Sequence, residues 1–258
     1  MGSLPALQPA LAVASGSVVG FALALVGGGG SILAVPALLY VVGIGSTHLA
    51  IGTSALAVAA NAFANLAQHA RRGTVKWPCA AVFAASGILG AAAGSTLGKL
   101  ADGRLLQIAF AGVMIVIGAA MLRPRAADGD PAVRIDRRIA LRLAALGMAT
   151  GLASGFFGIG GGFLIVPGLM FGSGMAILNA IGSSLFAVGS FGLTTATNYA
   201  LSGLVDWPIA GWFIAGGILG GLAGTRLAHA AATRKGLLNR IFAGVIFAVA
   251  AYMIWRAV

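Results

Sequence analysis

Two long stretches of this chain carry no charged side chain. From Met1 to Ala70, and again from Leu143 to Val205, there is no Lys, Arg, Asp or Glu. A helix crossing the hydrocarbon core of a bilayer takes roughly 20 such residues, so each stretch has room for about three spans. A transmembrane barrel would alternate polar and apolar residues at every second position, and these stretches do not. The pattern predicts an all-α polytopic membrane protein. In each half a first apolar helix runs into a glycine cluster. A short helix follows at 31–42 or 162–171, then a long one at 47–70 or 175–201. Two more follow at 78–98 and 105–122, or at 208–228 and 237–255. Each half is thus a glycine-broken first helix followed by three transmembrane helices, about eight helices and up to ten helical segments in all. Pro78 and Pro208 suit the first turn of a helix, where a missing N–H costs nothing. Trp77 and Trp207 stand where interfacial aromatics belong.

The halves are one pattern used twice. Gly27-Gly28-Gly29-Gly30-Ser31-Ile32-Leu33-Ala34-Val35-Pro36 returns as Gly158-Ile159-Gly160-Gly161-Gly162-Phe163-Leu164-Ile165-Val166-Pro167. Ala50-Ile51-Gly52-Thr53-Ser54 returns as Ala180-Ile181-Gly182-Ser183-Ser184, and Gly73 to Pro78 returns as Gly203 to Pro208. Gly87, Gly90 and Gly94 return as Gly217, Gly220 and Gly224, a small-residue spacing that lets helix backbones approach closely. The offset stays near 130 residues throughout. This gives a first membrane repeat at 1–122, a charged linker at 123–138 with an Asp128-Gly129-Asp130 turn signal, and a second repeat at 139–258.

Charge sets the expected orientation. If the first helix and the short helix form a hairpin, each half crosses an odd number of times and the halves are inverted. The inside clusters are then Arg71, Arg72 and Lys76, the linker with Arg142, and Arg226, Arg234, Lys235 and Arg240. That places 13 of the 16 Lys and Arg residues inside, leaving Lys99, Arg104 and Arg256 outside. Parallel halves would place only 10 of 16 inside, so the positive-inside tendency favours inversion, a cytoplasmic linker and both termini outside. Thr74 and Thr233 are then expected on one side and Ser202 on the other.

Inverted repeats with matching broken helices point to a transporter binding site. Glycine lets the backbone leave the helix and approach a ligand. The short helix that follows has free N–H groups and a partial positive charge at its start, which suits an anion. The candidate binding residues are Gly29, Gly30, Ser31 and Pro36, with Gly160, Gly161, Gly162 and Pro167 in the other half. The prolines free a further carbonyl within each short helix. Tight helix packing is the competing use of these glycines. On the long helix, Ser54, Asn61, Asn65 and Gln68 share one face, and Thr53 adjoins it. In the second half Ser183, Ser190, Thr194 and Thr197 form a comparable stripe, with Ser184 and Asn198 beside it. Thr53, Ser54, Asn61, Asn65, Ser183, Ser184 and Asn198 are candidate pathway residues, and interhelical hydrogen bonding is their structural alternative. His48 and His69 are expected near opposite ends of the first long helix. Asp206, the repeat mate of Lys76, reads as a solvated interfacial group.

Composition removes other classes. The net charge of +11 sits in short clusters between apolar runs, which is a loop pattern and not a nucleic-acid surface. Cys79 is the single cysteine, Glu is absent and there are five Asp, so no disulfide, Cys-ligated metal or carboxylate-rich ion site is expected, and no cofactor. No basic segment precedes the first apolar stretch, so a cleaved signal peptide is not expected. The absence of a Gly-x-x-x-x-Gly-Lys-Ser/Thr motif argues against an ATP-driven pump.

The paired Gly-Gly-Gly-x-x-x-x-Val-Pro segments, the Gly-Thr-Ser and Gly-Ser-Ser that follow, and Gly-x-Val-Asp-Trp at 203–207 together resemble the sulfite exporter TauE/SafE family, over about residues 11–256. The resemblance implies a two-repeat permease of the bacterial inner membrane that moves sulfite, a sulfonate or a related small anion, usually outward. The first half departs from the motif at Lys76, where an Asp would stand. The partners expected are the bilayer, a small anionic substrate, a coupling ion (proton or sodium) and a second copy in a homodimer, with no nucleic acid. Singly charged anions are expected to be preferred, because two helix N-termini offset about one charge. A non-transporting membrane scaffold and an intramembrane serine hydrolase built on Ser183 or Ser184 with His69 or His229 are the competing readings. The chain is expected not to be an enzyme.

Overall fold

The structure is a computed structural model and describes residues 7–122, 129–130, 133, 135–158, 162–230 and 235–257. Among these residues the chain forms ten helical segments and no strand beyond one isolated bridge between Asp130 and Met175. They are α1 (Gln8–Val26), α2 (27–42), α3 (Thr47–Arg71), α4 (Trp77–Leu100) and α5 (Gly103–Leu122), then α6 (Arg137–Phe157), α7 (Gly162–Ser173), α8 (Ile177–Ala200), α9 (Trp207–Ala230) and α10 (Lys235–Ala257). Segment α2 is irregular. Its first turns, Gly27–Leu33, are 3₁₀, and its last, Ala37–Val42, are π-helical. Among the described residues five helices are long and apolar enough to cross a membrane: α3, α4, α6, α8 and the first 18 residues of α9.

The helix ends follow local chemistry. Asp102, Asp136 and Asp206 each cap a helix, accepting from Leu105 N at 3.1 Å, Ile139 N at 2.6 Å and Ile209 N at 3.0 Å. Three of the five carboxylates in the chain therefore sit where free N–H groups and the helix dipole hold a negative charge. The turns after α3 and α8 use Gly73 and Gly203, repeat mates that share a left-handed φ of 67° and 69°.

Packing is shared between the halves in matching pairs. Helix α1 packs on α9, and α6 packs on α4. Helix α3 packs on α8, and α5 on α10. In the first two pairs the helices run parallel and meet backbone to backbone. A Cβ at Gly20 would overlap the backbone of Gly217, and one at Gly151 that of Gly87. Gly216 and Gly220 meet Val13 and Ser17 in the same way, and Gly90 and Gly94 meet Met148 and Leu152. Without a hydrophobic force between helices in lipid, this close van der Waals contact holds the bundle together. Helix α3 is the most enclosed span, 72% buried against 33% for α6, so α3 and its partner α8 form the centre.

Candidate functional site

Two hydroxyls pin the central pair. Thr53 Oγ1 accepts from Asp206 N at 2.9 Å, and its repeat mate Ser183 Oγ accepts from Lys76 N at 2.8 Å. Lys76 and Asp206 are themselves mates, so each half contributes one hydroxyl and receives one. The adjoining mates Gly52 and Gly182 leave room for the loop backbones at Leu204 and Thr74. The start of α3 therefore lies beside the end of α8, and the start of α8 beside the end of α3, so the two mates cross antiparallel. Ser54 donates to Ile51 O at 2.9 Å and to Gly158 O at 3.4 Å, which ties it to the end of α6. Ser184 donates to Ile181 O at 2.7 Å within its own helix. All four hydroxyl residues are fully buried.

The two interrupted segments meet inside the bundle, where residues 27–33 pack against α7. Gly29 lies in the 3₁₀ stretch. Gly30 is pressed against α1, where a Cβ would overlap the backbone of Ala22 and Leu23. Its small size therefore serves helix contact at that position. Ser31 and Pro36 are buried beside it, and Pro167 lies inside α7. Gly162 opens α7, while Gly160 and Gly161 lie outside the described residues.

The polar stripes divide. Asn61 and Asn65 are 1% and 2% exposed on α3. In the second half Ser190, Thr194 and Thr197 turn back onto their own helix, donating to Phe186 O, Ser190 O and Leu193 O at 2.8 Å. Asn198 joins a cluster at one end of the bundle. Its Oδ1 accepts from Lys99 Nζ at 2.8 Å, and its Nδ2 donates to Ser95 Oγ at 2.7 Å and Thr96 Oγ1 at 3.0 Å. Lys99 also donates to Asn198 O at 3.2 Å and Ser202 Oγ at 2.9 Å, and so caps the C-terminal end of α8 with positive charge. Lys99 is not among the residues that sequence spacing marks as a site; Ser95 and Thr96, one turn before it on a mostly apolar helix, are the signal for it. Ser154, Thr195 and Tyr199 are likewise unmarked, each buried with a hydroxyl that has no protein partner.

His48 and His69 lie near opposite ends of α3. The first is tilted against the Tyr199 ring at 6.4 Å, and the second has Nδ1 3.0 Å from Thr74 Oγ1. A small gap of about 10 Å³, room for no more than one water molecule, lies between α2, α3, α5, α6 and α10. Its wall is largely apolar, with Thr47 and Gln107 as polar lining residues. Gln107 Nε2 donates to Thr47 Oγ1 at 2.6 Å, and Tyr40 donates to Gln107 Oε1 at 3.0 Å. Among the described residues no group of His, Cys, Asp and Glu is placed to hold a metal ion.

Asp206 caps α9 from the membrane-end loop, and that role needs an acceptor oxygen but no charge. Asp206→Ala is expected to cost about 1 kcal/mol of stability, and Asp206→Asn a few tenths. Thermal unfolding in detergent checks this, and a large loss in the Asn variant would contradict a capping role.

Apolar helices of spanning length and small-residue backbone contacts between them define an integral, multi-pass, all-α membrane protein. The chain belongs to the sulfite exporter TauE/SafE family, whose sequence profile matches residues 12–253. It is 55% identical over 246 residues to a "Probable membrane transporter protein" of Xylella fastidiosa, covering 95% of this chain and 94% of that one. It is 25% identical over 220 residues to "Probable membrane transporter protein YdhB" of Bacillus subtilis, covering 83% and 86% of the two chains. A "Probable membrane transporter protein" of Haemophilus influenzae is 28% identical over 206 residues, covering 76% of this chain and 72% of that one. No solved structure matches the chain.

Proposed function

We propose that this protein is a secondary transporter of the bacterial inner membrane, with no enzymatic activity, that exports a small, singly charged anion such as hydrogen sulfite or a sulfonate. The observation that carries the reading is the meeting of the two interrupted segments, residues 27–33 against α7, within the bundle. Irregular backbone at membrane depth is tolerated where protein or a water-filled path faces it. Each helix start supplies roughly half a positive charge, enough together to offset about one negative charge. The charge-free run from Leu143 to Val205 and that from Met1 to Ala70 offer no Lys or Arg to hold a second.

The halves are inverted across the bilayer in this reading, and the antiparallel crossing of α3 and α8 supports it. So do the two ends of the bundle. Lys99 meets Asn198 and Ser202 at one end. Lys76 meets Ser183, and Asp130 pairs with Met175, at the other. A coupling proton or sodium ion and a homodimer belong to the same proposal. The experiment is anion flux into proteoliposomes, with sulfite, thiosulfate, sulfonates and carboxylates compared across pH. Saturable flux of a monoanion above that of protein-free vesicles is the expected result. Flux that tracks only the doubly charged species, or no flux of any anion, would overturn the proposal.

A further inference from the structure

Asn61 stands near the middle of α3, where this helix crosses both α8 and α9. Gly192 of α8 faces Ala55 and Ala59 there, and Gly189 faces Phe63. The Asn61 side chain is 1% exposed, and neither its amide nitrogen nor its carbonyl oxygen has a hydrogen-bond partner. It lies over Gly217 of α9, in space that a Cβ there would claim. One turn further, Asn65 lies over Gly221, but its Nδ2 is engaged by the Asn61 main-chain carbonyl at 3.0 Å.

The repeat mate of Asn61 is Phe191, and that of Gly217 is Gly87. Phe191 occupies the equivalent space over Gly87 and stacks on Phe83 at 6.2 Å. The same position is thus closed by two aromatic rings in one half and lined by an unpaired carboxamide in the other. An unpaired polar group is costly to bury, and lipid offers it no partner. A well-packed phenylalanine at the mate position incurs no such cost.

We propose that Asn61 contacts the transported anion directly, that the deep binding position is one-sided at the α3–α9 crossing, and that its ligand is a singly charged oxyanion bearing a hydroxyl. The proposal rests on the transport reading above. A carboxamide carries two N–H donors and one acceptor oxygen, and here both kinds lack a partner. A fully deprotonated anion satisfies only the donors. One that carries an O–H, such as hydrogen sulfite or a hydroxyalkanesulfonate, satisfies both. No charged residue faces the position from α1 (Gln8–Val26) or α8 (Ile177–Ala200). The ionisable groups of α3 are His48, His69 and Arg71 at its ends, and α9 carries none before Arg226. With no full positive charge at this position to offset a second negative one, the ligand carries no more than one negative charge.

The test uses the purified full chain in proteoliposomes, with 2-hydroxyethanesulfonate and ethanesulfonate as probes. Wild type should move the hydroxylated probe about tenfold faster, the factor that one buried hydrogen bond provides. Asn61→Leu should lower that flux at least tenfold and erase the preference, with a melting midpoint unchanged or raised. Phe191→Leu should leave the preference within twofold of wild type. Undiminished hydroxysulfonate flux in Asn61→Leu overturns the proposal. So does failure of that variant to fold, because the amide would then be part of the packing. Equal wild-type flux of the two probes overturns the ligand class while leaving transport intact. Absence of all anion flux in wild type removes the transport reading and this proposal with it.

Discussion

Gly20→Val and Gly151→Val will each lower the stability of the folded protein by about 3 kcal/mol, while Gly112→Val will leave it nearly unchanged. Gly20 and Gly151 are repeat mates on α1 and α6, and each faces the backbone of a glycine on its partner helix. A Cβ at either position overlaps main-chain atoms of Gly217 or Gly87, which cannot rotate away as a side chain would. Overpacking of this kind typically costs 1–3 kcal/mol, and backbone against backbone lies at or above the top of that range, about 3 kcal/mol. That is a large part of the 5–15 kcal/mol that holds a typical protein folded. Gly112 has nothing within 4 Å of where its Cβ would stand, and its mate Gly244 is equally open. Substitution there should stay within about 0.5 kcal/mol. Gel-filtration profiles after heating in detergent separate the two classes. Equal loss at all three positions would mean that close packing is not what these glycines provide.

The second large effect belongs to the paired hydroxyls. Thr53→Val leaves the Asp206 N–H facing a methyl group, and Ser183→Ala does the same to the Lys76 N–H. A donor left unpaired in the interior costs about 1–3 kcal/mol. Each substitution should therefore lower stability by that amount, and the two losses should be similar because the positions are mates. They lie at opposite ends of α3 and α8 and share no partner, so the double variant should lose the sum to within about 0.5 kcal/mol. Thermal unfolding of the two single variants and the double variant decides the matter. Serine in place of Thr53 should restore most of the loss. A strongly less-than-additive double variant would contradict two independent pins.

Much of the fold was legible because the signals were long and periodic. The helix starts at Trp77 and Trp207 follow from the Trp-Pro pairs, and α3 and α8 follow from uninterrupted apolar runs. The irregular turns of α2 were legible only as a glycine cluster and Pro36, since sequence periodicity does not tell 3₁₀ or π geometry from α. The roles of individual polar residues were less legible. Thr53 and Ser183 were legible as candidate pathway residues, but not the main-chain N–H that each accepts, which ties a loop to a helix. Asp206 read as a solvated group, and it is a helix cap that also presents its N–H to Thr53. Both roles depend on which loop folds over which helix end, a long-range fact that spacing along the chain does not carry. Asn198 was visible as a polar residue beside a stripe, but its partner Lys99 is distant in sequence. Asn61 and Phe191 show the limit most plainly. The repeat makes them mates, and the difference between an amide and a ring becomes meaningful only once Gly217 and Gly87 are seen beneath them.

The proposed transport function stands on one claim, that the halves are inverted across the bilayer. Arg71 and Leu201 are repeat mates, both exposed, Arg71 as the last residue of α3 and Leu201 in the turn after α8. Arg71→Cys and Leu201→Cys, each made on a Cys79→Ala background and labelled in oriented membrane vesicles with a membrane-impermeant maleimide, measure that claim directly. Inversion predicts label at one position only from the cytoplasmic face, Arg71→Cys, and at the other only from the opposite face, Leu201→Cys. Labelling of both from the same face would contradict it.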